Sequence, residues 1–273
     1  GIGVVRGGAR SWLGIGSLGI QPSEFMKLGM VLFLARLLAD EKNRVTNFTR
    51  GLMPPLLLVG AAFGLIMLQP DLGTGAVLAG ASLLVIFVAG ARLSHLLGLA
   101  LAGLIGLAGL ILAAPYRMQR IIAFLDPWQD PLGAGYQAIQ SLYAIGPGRL
   151  VGLGLGMSRQ KYSYLPEPQT DFIFSIIAEE LGFIGASFVL MMFLLLVWRG
   201  FRTAIAAPDR FGSLLAAGIV GVIAVQVFIN IGVVIGLLPV TGITLPLISA
   251  GGSSLTLILT GLGILLNISR YAR

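Results

Sequence analysis

Asp171 stands in the segment LPEPQTDFIF, after a proline-rich turn and at the head of a long apolar run. Thr170 reads as the N-cap of the helix that follows and Asp171 as its first residue, where an acidic side chain complements the helix dipole. The dipole works against a general base tuned to neutrality, whereas desolvation at a bilayer surface works the other way. Glu24 and Lys27 are three residues apart, a spacing that puts both on one helical face and lets them pair. They read either as a structural ion pair or as the charged wall of an outward-opening cavity. Asp71 lies in QPDLGT, between the helix breakers Pro70 and Gly73. It reads either as a turn aspartate bonded to local amides or as part of the same cavity. Glu179 and Glu180 follow Asp171 by about 12–14 Å of helix. They cannot both face lipid, since an unpaired charge at mid-membrane costs about 2.5–3.5 kcal/mol on insertion scales. The expectation is a polar bolt from one of them to a basic or amide group on another helix, with Gln226 and Asn230 in a later apolar run as candidates. The segment PVTGITLPLISAGGSS, 239–254, brings Ser253 and a row of backbone amides that suit a phosphate if the segment lines a cavity, and otherwise forms a long turn. Together these features suit one outward-facing pocket, with carboxylates beside cations and lipid at its flank. A substrate with an anionic head and a lipid tail would fit it.

The elements that must carry these residues are set by composition. Hydrophobic residues make up 56% of the 273, and charged residues 11%, against roughly 25% charged in a soluble domain. Mean hydropathy is +0.94. This excludes a soluble enzyme, a disordered tail and a nucleic-acid-binding domain. The chain has no cysteine and a single histidine, His95, so disulfides, zinc–thiolate sites and histidine-rich metal sites are excluded too. The net charge of +7 points to anionic lipid head groups or an anionic substrate. Apolar runs long enough for a ~30 Å core fall near 20–38, 52–68, 74–91, 96–114, 172–198, 213–238 and 253–269. The fold class is therefore an all-α polytopic membrane protein of about seven transmembrane helices. An odd number puts the two ends on opposite sides. Arg36, Lys42, Arg44, Arg50, Arg92, Arg199, Arg202, Arg210, Arg270 and Arg273 fall in alternate segments and mark the cytoplasmic side.

The long loop 115–171 then faces outward. Its pieces YRMQRIIAFL (116–125) and GYQAIQSLYAI (135–145) read as amphipathic helices in the interface, joined by a DPWQDP turn. Gly98, Ala102 and Gly106 read as a helix-packing series. Gly152, Gly154 and Gly156 are spaced like a phosphate loop, but no strand precedes them and no helix opens there, so they read as a flexible turn. The first residue is glycine, without a start methionine, and 1–273 reads as a fragment consisting of one transmembrane domain.

The segments GARSWLGIGSLGIQPSEFMK (8–27), QPDLGTG (69–75), PYRMQRIIAFLDPWQDPLGAGYQAIQSLYAIG (115–146), GLGLGMSRQKYSYLPEPQTDFIFSIIAEELGFIG (152–185) and LPVTGITLPLISAGGSS (238–254) resemble the SEDS proteins of shape, elongation, division and sporulation. The resemblance is stronger to the FtsW/SpoVE branch than to RodA. It implies the last seven of ten transmembrane helices, with a large extracytoplasmic loop between the seventh and eighth of the ten. It implies a multi-pass protein of the bacterial plasma membrane whose active site faces outward. The activity implied is peptidoglycan glycosyltransfer, polymerising lipid II with a class B penicillin-binding protein as cross-linking partner. Asp171 matches the family's essential aspartate and would act as general base on the acceptor hydroxyl. Arg10, Lys27, Arg117 and Arg120, or a divalent cation such as Mg2+ or Mn2+, would stabilise the pyrophosphate leaving group; no organic cofactor is implied. Glu24, Asp71 and Ser253 are assigned to the substrate cavity. Two other classes stay open: a lipid II flippase, with Glu179, Glu180, Gln226, Asn230 and Asn267 along a path, and a scaffold that recruits the transpeptidase. The polar groups concentrate on the outer side, which favours the polymerase.

Overall fold

The computed structural model describes residues 4–6, 9–15, 18–40, 45–162 and 164–272; side chains at 4–6, 9–11, 15 and 18 lie outside that description. The chain divides into two compact units. The first comprises Gly1–Gly98, Leu195–Val225 and Gly251–Arg273, and the second Leu99–Leu194 and Gln226–Ala250.

The first unit opens with β1 (Val4–Arg6), β2 (Ala9–Ile15) and β3 (Leu18–Ile20), a three-stranded antiparallel sheet in the order β1-β2-β3. Leu13 pairs with Ile20 and Ile15 with Leu18. This short sheet is a local exception in a chain that is otherwise helical, as expected. Large apolar residues alternate with Trp12, Gly14 and Gly19 here, a period of two that suits strands rather than a helix.

Helix α1 (Pro22–Ala39) begins with proline at its first position, where a missing N–H costs nothing. Its inward side repeats at helical spacing: Ser23, Glu24, Lys27, Met30, Val31, Leu34, Ala35 and Leu38. Phe25, Met26 and Phe33 are exposed. Charge inside and aromatic rings outside invert the soluble pattern, as a helix in lipid requires. A π-helical turn, Phe48–Leu52, leads into α2 (Met53–Met67), and α3 (Leu72–Val88) packs on both α1 and α2. Helix α4 (Leu93–Leu112) has no buried residue. At Gly98 and Gly106 a Cβ would meet no neighbour among the described residues.

The loop expectations hold in outline. Helix α5 (Pro115–Leu125), a 3-10 turn (Pro127–Gln129) and α6 (Tyr136–Gly148) stand where two amphipathic pieces and a turn were expected. Asp126 caps the turn by accepting from the Trp128 N–H at 3.2 Å. Helices α7 (Ile173–Ala206), α8 (Arg210–Val234) and α9 (Gly252–Tyr271) complete the chain.

Each of the seven apolar runs forms a helix. Among the described residues, five helical spans are long and apolar enough to cross a membrane: Phe48–Met67, α4, α7, α8 and α9. Helix α3, apolar and 17 residues long, is shorter than these five spans. Helix α1 carries Glu24, Lys27 and Arg36, which lower its apolar character.

Helix α7 is two helices joined at Gly182, whose φ of 65° and ψ of −166° are non-helical. The backbone groups freed by the break are taken up by the strand of chain after α6. Leu153 N–H donates to Glu179 O and Gly154 N–H to Glu180 O, both at 3.0 Å. Phe183 N–H donates to Arg149 O at 2.8 Å and Ile184 N–H to Leu150 O at 3.1 Å. A Cβ on Gly148, Gly152 or Gly182 would collide with the opposing backbone. Of the three glycines read as a flexible turn, Gly152 is thus fitted against backbone, whereas Gly154 and Gly156 have room for a Cβ. Irregular backbone beside a spanning helix is admissible where its polar groups find partners, as these four pairs do.

Candidate active site

In the second unit, Asp171 is half-buried in a turn that precedes α7. The helix starts at Ile173, two residues later than the sequence suggests. Thr170 does not cap it; its hydroxyl donates to the Glu167 carboxylate at 2.9 Å. What fixes the turn is its apolar neighbours and its carbonyls. Phe172 is fully buried in a cluster with Leu165, Phe174, Val234 and Leu245. Three successive carbonyls are then held from outside the turn. Gln169 O accepts from Ala250 N–H at 2.8 Å, Thr170 O from the Ser249 hydroxyl, and Asp171 O from the Asn230 amide at 2.7 Å. Asn230 donates also to Ile243 O at 2.6 Å. Gln226, one turn earlier on α8, donates to Thr244 O at 3.0 Å. The segment 239–250 is therefore laced to the Asp171 turn. Gly242 lies against the carboxylate: a Cβ there would stand 3.6 Å from Asp171 Oδ2.

Arg120 reaches the same segment, donating to Val240 O at 3.2 Å. It lines a cavity of about 320 Å³ with Phe124, Asp126, Trp128, Leu142 and Leu238. Arg117 is spent differently. It donates to Leu110 O at 2.9 Å and lies on the ring of Tyr116, so it ties the end of α4 to the start of α5 rather than pointing into that cavity.

The partners seen for Glu179 and Glu180 come from the 158–161 turn, and one of them is the basic Lys161; they lie in a loop rather than on another helix as the sequence suggests. Glu179 accepts from the Ser158 hydroxyl at 2.6 Å and from Arg159 N–H at 3.0 Å. Glu180 takes Lys161 Nζ at 2.8 Å and Ser158 N–H at 3.2 Å. Two carboxylates one residue apart thus cap the 158–161 turn, which the glycine insert delivers beside the helix break. The hydrogen bond to Glu180, followed by the charge of Glu180, Tyr162 and Glu179, holds the Lys161 ammonium above the ordinary lysine value despite partial desolvation.

In the first unit, Asp71 is the N-cap of α3, accepting from Thr74 N–H at 2.9 Å and the Thr74 hydroxyl at 2.7 Å. The turn-aspartate expectation is met, and an unforeseen residue extends it. Gln21, the N-cap residue of α1, approaches Asp71 Oδ2 with its side-chain amide at 3.4 Å, and its own N–H donates to Ser253 Oγ at 3.3 Å. Gln21 thus gathers Asp71 and Ser253. Glu24 and Lys27 form an ion pair at 2.7 Å, with side-chain exposures of 8% and 4%. The pair lines a cavity of about 30 Å³ whose other walls, Leu28, Ile219, Val222, Ile223, Leu257, Ile258 and Gly261, are apolar. Lys27 is therefore sealed beside its carboxylate rather than presented as an open cation. The side chain of Arg10 lies outside the described residues. Among those described, no three acidic or histidine side chains converge in a group that could hold a metal ion.

The sequence reading missed Gln21 and Ser249 and mispaired Gln226 and Asn230. Their one signal was two amides at i and i+4 in the apolar run IAVQVFINIG, which shows a shared face but not what that face holds.

Comparisons agree with this architecture. The FtsW/RodA/SpoVE family model, described as cell cycle protein, matches residues 1–273. Stage V sporulation protein E of Bacillus subtilis (strain 168) is 60% identical over 273 residues, covering 100% of this chain and 75% of the relative. A probable peptidoglycan glycosyltransferase FtsW of Geobacter sp. (strain M18) is 43% identical, covering 100% and 74%. Among solved structures, a chain from work on the structural coordination of polymerization and crosslinking by a peptidoglycan synthase complex superposes with a TM-score of 0.80 at 39% identity, over 98% of this chain and 75% of that one. The rod shape determining protein RodA of Thermus thermophilus gives a TM-score of 0.69 at 34% identity, over 98% and 72%.

Proposed function

Because the chain belongs to the FtsW/RodA/SpoVE family of cell cycle proteins, we propose that it is a membrane-embedded peptidoglycan glycosyltransferase that polymerises lipid II, with Asp171 as general base. The observation that carries the assignment is the treatment of Asp171. Its turn is anchored by a buried phenylalanine and three externally held carbonyls, yet its own side chain stays half-exposed beside a glycine. Such preorganisation is what a proton-accepting group needs.

In this scheme the Asp171 carboxylate accepts the proton of the acceptor sugar's 4-hydroxyl. That oxygen attacks the anomeric carbon of the donor, and undecaprenyl pyrophosphate departs with its bonding electrons, so the configuration inverts. The leaving group is good, and the protein's remaining task is to stabilise its charge. Arg120 is the best-placed cation in the second unit, since one of its five donors already grips the segment that flanks Asp171. The buried state of Lys27 and the backbone role of Arg117 make them positioning groups instead. A divalent cation, if used, would arrive with the pyrophosphate. Asp71 and Ser253, gathered by Gln21, are assigned to the substrate cavity, as is Arg10. A class B penicillin-binding protein is the proposed partner, and the active site is proposed to face the extracytoplasmic side. Four of the five groups suggested for a flipping path are tied to local loops: Glu179 and Glu180 to 158–161, Gln226 and Asn230 to 243–244. That supports polymerisation over transport.

The test is lipid II polymerisation with the transpeptidase partner, wild type beside Asp171→Asn, with glycan ladders resolved on a gel and both proteins shown to be folded. Ladders are expected from wild type alone. Equal ladders from both would end the assignment of Asp171 as base.

A further inference from the structure

Asn230 is an amide in the apolar helix α8, 1% exposed. Burying such a group costs about 1–3 kcal/mol unless it is hydrogen-bonded. Both of its N–H donors are used, and both acceptors are backbone carbonyls next to the proposed chemistry: Asp171 O at 2.7 Å and Ile243 O at 2.6 Å. Asn230 is a donor seen on the Asp171 carbonyl. Ser175 and Ile176 N–H both turn to Phe172 O. A single planar NH2 group therefore fixes the Asp171 peptide and, at the same time, the residue beside Gly242.

The consequence is geometric. The carboxylate direction follows from the Asp171 backbone, and the wall it faces is 240–243, which Arg120 also grips through Val240 O. Asn230 thus sets the spacing between the carboxylate and the segment that Arg120 grips. Gln226 on Thr244 O and Ser249 on Thr170 O hold the same two pieces of chain further from the carboxylate.

We propose that Asn230 is a positioning residue for glycosyl transfer, acting through the carbonyls of Asp171 and Ile243 to hold the base at its working distance from the 240–243 wall. This rests on Asp171 being the base. The test uses the full chain with its transpeptidase partner and compares wild type, Asn230→Ala, Asn230→Asp and Asp171→Asn, with kcat and KM for lipid II normalised to folded protein. Asn230→Asp keeps the shape but replaces two donors with acceptors facing two carbonyls. A displacement on the 1 Å scale costs about 10²-fold in rate. The expected result is a fall of about 10²-fold in kcat for both Asn230 variants, with KM within about twofold of wild type, since lipid II binding is spread over other residues. Folded Asn230 variants with wild-type kcat would overturn the proposal, as would a loss confined to KM. So would failure of both variants to fold, which would make Asn230 a folding residue. An active Asp171→Asn would instead overturn the base assignment, a result the Asn230 variants cannot mimic.

Discussion

The ion pair of Glu24 and Lys27 shows how much one residue can carry in this setting. Both groups are buried against apolar neighbours, so each offsets part of the burial cost of the other. Removing one partner leaves an uncompensated buried charge, at about 3–5 kcal/mol. Lys27→Met or Glu24→Gln should each destabilise the folded protein by that order, read by denaturation in detergent. Lys27→Met with Glu24→Leu should cost clearly less than the sum of the single changes; additive losses would show that the two are not coupled. The pairing was legible from the three-residue spacing. Its isolation from open solvent was not, because spacing says nothing about which neighbouring helices close over it.

At the scale of elements, the break in α7 decides where the outer loop can run. Gly182 occupies a backbone region open almost only to glycine, costing about 1–3 kcal/mol for any other residue, and a Cβ there meets the backbone of Leu150 and Gly152. Gly182→Ala should therefore lower the melting temperature and free the 149–154 insert, which limited proteolysis would report as new cleavage. The turn at 158–161 has its own fastener in Lys161 on Glu180. The lysine value is raised in the folded state, so its contribution is complete below the ordinary value of about 10.4 and is lost as pH rises through the higher folded value. Lys161→Met should expose 158–161 to protease at neutral pH, whereas wild type should show that exposure only in strong alkali. Neither device was readable beforehand. The glycines pointed to a turn, and only the meeting of two chain segments distant in sequence shows that Gly152 is small because backbone packs against it.

At the scale of the whole molecule, seven helices and alternating basic segments predict that the loop holding α5 and α6 faces outward and the end of α7 inward. The chain contains no cysteine, so single cysteines can be placed without background. Gln129→Cys should react with a membrane-impermeant thiol reagent in intact cells, and Arg202→Cys only after permeabilisation. Both positions are exposed, so the reverse pattern would invert the proposed orientation.

Composition and apolar run length alone determined a helical membrane protein, since a lipid core forces backbone polar groups into helices whatever else the sequence says. Ordered motifs determined the family and singled out Asp171. The N-terminal sheet escaped because its strands are short and glycine-rich. The partners of Gln21, Asn230, Ser249, Glu179 and Glu180 were decided only in three dimensions. A buried polar group must be satisfied, and the sequence states that obligation without saying which distant carbonyl or amide meets it.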